Sequence, residues 1–417
     1  MRIFKSVINR LFLYFSIFFL FLKINRLYFF NFRRGLITPK LNDYVISKFP
    51  ELFRIYSVDK SLDDFIHLEL EVAGDYSQIF PDIPNINMPS FNVSVGLPSR
   101  VVYLFDNVEV RPNNSFVYKD NSVFIPKQKH KTNKIKAEVS ENKISLNEQQ
   151  LIEISLTDYN KIYCQNVISL MGHYSDHFGH FLLEYIERLD HINKLGIDPR
   201  YLSVLISENC DENIRDLVLE VQRFLGFDIK YIKNNTKVFC EKYYHIDPFS
   251  VVCDGANYAS ITDKLYYASF NSYFKQKQAT PLLGKGRKLY LARRGRRTLL
   301  NFREVEAYFL KSGYEIIDNC HEMSVSEKMI LFGNASFIAG PAGSAFFNCI
   351  WCPRDVKILN FINYEIAYDN CLQNMLSQES KIYFLAGKEI NYKFYNSDYH
   401  IDLEEIMYHA KKLGFTS

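Results

Sequence analysis

Between Lys288 and Phe361 short apolar runs alternate with longer stretches in which apolar positions recur every three or four residues. The runs at Leu289–Ala292, Tyr314–Ile317, Ser336–Ala339 and Val356–Phe361 predict β-strands. The stretches that start near Asn301 and that cover Ser324–Phe332 and Ser344–Trp351 predict helices. Strands alternating with helices of this length imply βαβ units and a parallel sheet. A second region of the same kind opens at about Tyr163. There Val167–Met171 is apolar, Leu202–Ile206 reads as a buried strand, a helix follows near Asn213–Leu225, Lys237–Ile246 is extended and Ile261–Lys275 is helical. Within it, Ser175 and Asp176 are suited to cap a helix starting at His177. Phe178, Phe181, Leu182, Tyr185, Ile186 and Leu189 recur at helical spacing and form its buried face. A further amphipathic helix is predicted near Leu403–Lys412.

The earlier part of the chain is less regular. Val101–Phe105 and Val108–Val110 read as strands and Asn113-Asn114 as a turn. Residues 126–150, with five lysines between Lys127 and Lys136, read as a solvated loop or linker. Residues 1–34 hold seven Lys or Arg and no acid, and Leu11–Leu22 is apolar or aromatic except for Ser16. Those twelve residues fall short of the about twenty that a bilayer span needs. No small-residue cleavage site follows, as it would in a signal peptide, and no companion pattern marks a core helix. The segment is read as lying in a membrane interface, with bulky side chains in lipid and basic groups at the headgroups.

Composition adds bounds to this picture. A length of 417 residues suggests two or three domains. A net charge of +3 gives no general attraction to nucleic acid. Aromatics at 16% are ample for cores and for a sugar-stacking cleft. The eight cysteines are scattered, which favours a reducing compartment. Cys349 and Cys352 form a C-x-x-C with no second pair to complete a zinc site, and are read as core thiols.

Candidate chemistry gathers in two places. Each strand after Lys288 ends in polar or small residues: Arg293 and Arg294, then His321 and Glu322, then Gly340 and Gly343. In an open α/β sheet such ends face one crevice, where ligands bind. Gly340-Pro341-Ala342-Gly343-Ser344 opens a helix, and glycines there let backbone amides approach an anion. With the arginines this makes a diphosphate cradle; a tight turn beside a solvated basic loop accounts for the same residues. The second place is the helix after His177, where His177, His180 and Glu184 form a polar stripe. Three readings stand: a solvated face, a metal site from His173, Asp176, His177 and His180, or a general base made of an imidazole beside a carboxylate.

The stretches H-F-G-H-F-L-L-E-Y-I-E-R-L from His177, Y-L-A-R-R-G-R-R-T-L-L-N from Tyr290 and A-S-F-I-A-G-P-A-G-S-A-F-F-N from Ala335, in this order and spacing, resemble glycosyltransferase family 61. That family includes bacterial capsule-type sugar transferases and eukaryotic relatives. The resemblance runs from about Asn166 to Phe361. It implies an α/β fold of two Rossmann-like domains facing a cleft (GT-B-like), a nucleotide-sugar donor with uridine favoured, inversion at the anomeric carbon, and no required metal or other cofactor. His180 takes the place of the family's candidate base, with Glu184 beside it. Arg293 matches the arginine after the Y-x-x-R strand, with Arg294 and Arg297 close by. Gly340, Gly343 and Asn348 match the glycine turn and its closing Asn, and Ser344 follows the turn. Relatives often have His at Ala342, an acid at Phe302 and Pro at Glu187.

Together these readings divide the chain into a membrane-interface helix (1–34), a β-rich region with linker (35–150), an acceptor-side domain (151–280) and a donor-binding domain (281–417). The expected partners are a nucleotide-sugar donor, a glycan or lipid-linked acceptor and a membrane surface, with no nucleic acid. The expected location is cytoplasmic and peripheral to the membrane. Two alternatives accompany this: a non-catalytic scaffold of a polysaccharide assembly complex, and a metal-dependent hydrolase.

Overall fold

The computed structural model describes residues 53–59, 62–71, 74–80, 83–88, 91–97, 100–112, 116–124, 143–146, 150–154, 160–172, 175–247, 251–253, 259–261, 286–353, 355–363, 381–391 and 397–417. The apolar basic segment 1–34, the turn at 113–114, the lysine-rich stretch 127–136, His173 and the helix expected after Ile261 lie outside the described residues. The chain divides into two compact units, Met1–Ile55 with Ile152–Thr157, and Tyr56–Leu151 with Asp158–Ser417. In the first, the described residues 53–55 and 152–154 are extended. The second holds both parallel sheets and every candidate site residue.

The first sheet is built from β1 (Arg100–Val110), β2 (Asn160–Ser169), β3 (Leu202–Ser207), β4 (Asp228–Ile232) and β5 (Thr236–Ile246). Helix α1 (Phe178–Glu184) follows β2, and α2 (Glu212–Leu225) follows β3. Parallel neighbours run in the order β4-β3-β2-β5, so the chain steps outward from β2 and then crosses back to its other side. β1 pairs antiparallel with β5, and Ile66–Glu71 and Val117–Lys119 pair antiparallel with β1. The two strands expected in this part are one: Asn107, at φ +55°, lies within β1 without breaking it. The local reasons for α2 are plain. Asp211 accepts a bond from the Asn213 amide at 2.8 Å, Gly226 ends the helix at φ +85°, and Ile214, Leu217, Val218 and Val221 make one buried face.

The expected histidine helix needs two corrections. It starts at Phe178, and Ser175 does not cap it; the Ser175 hydroxyl accepts from the Gly172 amide instead, at 3.1 Å. The α-helix then stops at Glu184, because Tyr185 leaves helical geometry (φ −125°, ψ −50°) and a 3-10 helix runs over Ile186–Lys194. The apolar face survives this break. Phe181, Leu182, Tyr185, Ile186 and Leu189 are all buried.

The second sheet contains β6 (Arg287–Leu291), β7 (Glu315–Ile317), β8 (Ala335–Pro341), β9 (Lys357–Asn363), β10 (Lys381–Asn391) and β11 (Asp398–His400). Its helices are α3 (Phe302–Lys311), α4 (Val325–Gly333), a 3-10 helix over Ser344–Trp351, and α5 (Leu403–Lys412). The strand order is β7-β6-β8-β9-β10-β11, parallel except for the last pair. A capping box between Ser324 and Glu327 starts α4.

One apolar cluster joins the two sheets. Phe181, Leu182, Ile214 and Leu217 belong to it from the first, and Phe332, Phe346, Ile350 and Trp351 from the second. The described residues of the two halves thus share one core. No helix among the described residues is long and apolar enough to cross a membrane.

Candidate active site

The strand order of the second sheet reverses between β6 and β8, and ligands of open α/β sheets bind outside the carboxyl ends at such a point. Arg293 leaves the end of β6, and Gly340–Gly343 leave the end of β8. Gly340 has φ +143°, and a β-carbon there would run into the Leu291 carbonyl oxygen. Gly343 is extended, and a β-carbon on it would collide with Arg293 Nη1. Gly343 thus leaves room for the guanidinium beside the turn, while Gly340 lets β8 pass close to the end of β6.

Arg293 donates from Nη1 to the Ala342 carbonyl at 2.7 Å and from Nε to the Arg296 carbonyl at 2.6 Å. No carboxylate among the described residues pairs with it. Burial, and then the Arg297 charge, push its pKa down to about 10, with Tyr399 opposing. It stays cationic at neutral pH. Arg297 itself sits at φ +58° in the same loop. The loop is pinned from a distant strand: the Thr298 amide donates to Asp398 Oδ1 at 2.8 Å, and the Tyr399 amide to the Thr298 carbonyl at 3.1 Å. Asp398 and Tyr399 lie about a hundred residues from this loop, and no local pattern in the sequence marks them.

Arg294 is arranged differently. Its guanidinium forks onto Glu306 (2.5 and 3.0 Å), lies 3.3 Å from Asp318 and stacks 4.6 Å from the Phe302 ring centre. Phe302 opens α3, and Glu306, one turn along, supplies the carboxylate. Ser344 opens the 3-10 helix, where the first amides lack intrahelical partners. Asn348 is buried; its amide donates to the Ala345 carbonyl at 2.9 Å and to Cys320 Sγ at 3.5 Å. Its carbonyl oxygen has no hydrogen-bond partner among the described residues. Ala342 packs beside Ile83, Ile362 and Phe384.

His180 lies in the first turn of α1 and Glu184 ends that helix one turn on. His177 caps α1 without a side-chain bond and is exposed, 3.9 Å from Asp176. Helix α1 packs on the helix that follows the glycine turn: Gly179 lies where a β-carbon would strike the Phe347 ring. The chain path from Arg293 through Gly343 to Phe347 therefore ends against the residue next to His180.

Behind α1 is a buried polar cluster without a sequence signal. Arg100 Nη2 lies 3.5 Å from Glu187 and 3.4 Å from His191 Nε2, and donates to the Asp247 carbonyl at 3.1 Å. Glu187 thus faces the Arg100 charge. Burial, and then Arg100 and Lys194, push the His191 pKa down to about 3, so its ring is neutral. Arg188 donates to the Ser169 carbonyl at 2.9 Å and holds His245, which burial keeps well below its ordinary range, in a positive field. Among the described residues no group of three His, Cys, Asp or Glu is close enough to hold a metal ion. Cys164, Cys210, Cys240, Cys320, Cys349 and Cys352 are free thiols.

Residues 178–359 match the family model Glycosyltransferase 61. The match takes in α1, the arginine loop and the glycine turn. No curated protein matches the chain.

Proposed function

We propose, with residues 178–359 assigned to glycosyltransferase family 61 as the premise, that the protein transfers a sugar with inversion from a uridine-diphosphate donor to a glycan or lipid-linked acceptor, without a metal, in surface polysaccharide synthesis. The donor diphosphate lies against the amides that open the Ser344 helix, with Arg293 and Arg297 supplying positive charge. Arg294, neutralised by Glu306 and Asp318, holds the loop rather than the donor. The acceptor hydroxyl comes from the α1 side. Its oxygen bonds the anomeric carbon as the bond to the diphosphate oxygen breaks, and that electron pair leaves with the nucleotide. His180 takes the hydroxyl proton, and Glu184 supports the imidazole. Charge grows on the diphosphate as this happens, and preorganised cations stabilise it most at that moment.

The observation that carries this reading is Arg293. It is a half-buried guanidinium held by two carbonyls, with no carboxylate partner among the described residues, against a turn whose Gly343 has no room for a β-carbon. The two parallel sheets, with reversals at β2 and β6, support a Rossmann-like donor half and acceptor half. Residues 1–34 attach the protein to the cytoplasmic membrane face.

The test is donor turnover by purified protein. His180→Ala is expected to lower turnover about 10²–10⁴-fold while leaving donor-induced thermal stabilisation intact. Arg293→Ala is expected to lose that stabilisation. Full activity of the His180 variant removes it as the base, and donor stabilisation unaffected in the Arg293 variant removes the cradle.

A further inference from the structure

Lys328 is a lysine of α4 that is only 2% exposed, and it stands where three elements meet. Its Nζ donates to Asn213 Oδ1, in the first turn of α2, at 2.6 Å. The same nitrogen lies 4.9 Å from the ring centre of Phe178, the first residue of α1. Asn213 is itself held, its amide group donating to Asp211 Oδ1 at 2.9 Å and to the His321 carbonyl at 3.3 Å. The Lys328 charge also acts on Cys320, whose sulfur accepts from Asn348 of the 3-10 helix. Burial pulls its pKa below the usual lysine range, with Cys320, Asp211, Asp216 and Glu327 opposing that shift.

An ammonium is costly to bury, and an apolar side chain of similar length would fill the same space without that cost. Apolar packing joins α1 to the Ser344–Trp351 helix at Gly179 and Phe347, and such contact is non-directional. The hydrogen bond to Asn213 and the cation over the Phe178 ring are directional. We infer that Lys328 is a positioning residue: its ammonium ties the first turns of α1 and α2 to α4, and so sets where the helix carrying His180 stands relative to the glycine turn. The inference rests on the reading of α1 and the turn as two sides of one transfer site.

The experiment compares Lys328→Met, which keeps the length and loses the charge, with Lys328→Arg and the unaltered protein. Hydrogen exchange is followed in peptides covering residues 178–184 and in the strands of both sheets. Lys328→Met is expected to speed exchange in α1 about tenfold or more while the strands stay unchanged. In donor assays its kcat is expected to fall about 10–100-fold, with the donor KM within about threefold, because a small displacement of a reacting group costs rate rather than affinity. Lys328→Arg is expected to restore both readouts in part. Should Lys328→Met not fold, Phe178→Leu removes the ring face and is expected to loosen α1 in the same way. Unchanged α1 exchange, or a loss of protection spread evenly over both sheets, overturns the inference. An unaltered protein that transfers no sugar counts against the proposed function, and the exchange data still decide the role of Lys328.

Discussion

Gly340 is fitted to the Leu291 backbone and Gly343 to the Arg293 guanidinium, and the two fits make distinct predictions for substitutions of similar size. Gly340 has both a left-handed backbone and the Leu291 carbonyl where a β-carbon would go. Gly340→Ala is expected to lower folding stability by about 2–3 kcal/mol, measured from denaturant midpoints. Gly343 is extended, so alanine there adds no backbone strain, only a collision with the guanidinium. Gly343→Ala is expected to leave the midpoint within about 1 kcal/mol and to weaken donor stabilisation in a thermal-shift titration. Equal behaviour of the two variants would show that the turn is shaped by something other than these contacts.

At the scale of elements, α1 shows what an amphipathic pattern does and does not convey. Its apolar face was legible because Phe181, Leu182 and Tyr185 recur at helical spacing. Its end at Glu184 was not, since the 3-10 helix that follows buries the same side with Ile186, Leu189 and Ile192. The strands at the site edge were legible as short apolar runs, and Arg293, Gly340 and Gly343 lie at their ends as the alternation implies. Lys328 and Arg100 were not legible: each reads locally as an ordinary surface cation, and Asn213 and His191, which they meet, stand 115 and 91 residues away. Strand β10 was missed as well, although Ile382–Ala386 is an unbroken apolar run. The contact of α1 with the neighbouring helix can be tested directly. Gly179→Ala forces the Phe347 ring to move and is expected to cost about 1–3 kcal/mol. Adding Phe347→Leu is expected to recover part of that loss in a double-mutant cycle. Additive costs would separate the two residues.

For the whole molecule, buried neutral imidazoles couple stability to pH. The folded pKa of His191, about 3, lies below its ordinary 6.5. Between those values the unfolded chain binds a proton that the folded chain refuses, so stability falls as pH drops through this window. The slope approaches about 1.4 kcal/mol per pH unit for each such histidine. His245 acts in the same direction. Denaturant midpoints measured from pH 7 to pH 4 are expected to fall less steeply in His191→Gln than in the unaltered protein; parallel slopes would mean that His191 takes up its proton in the folded state. The apolar cluster that spans both sheets has a different consequence. Prising the halves apart like a clamshell would wet Phe181, Phe346, Ile350 and Trp351, at roughly 1.5–3 kcal/mol for each side chain fully uncovered. That sum rivals the entire stability of an ordinary domain. Entry and exit of reactants must therefore be left to short surface segments moving over a frame that keeps its two halves locked.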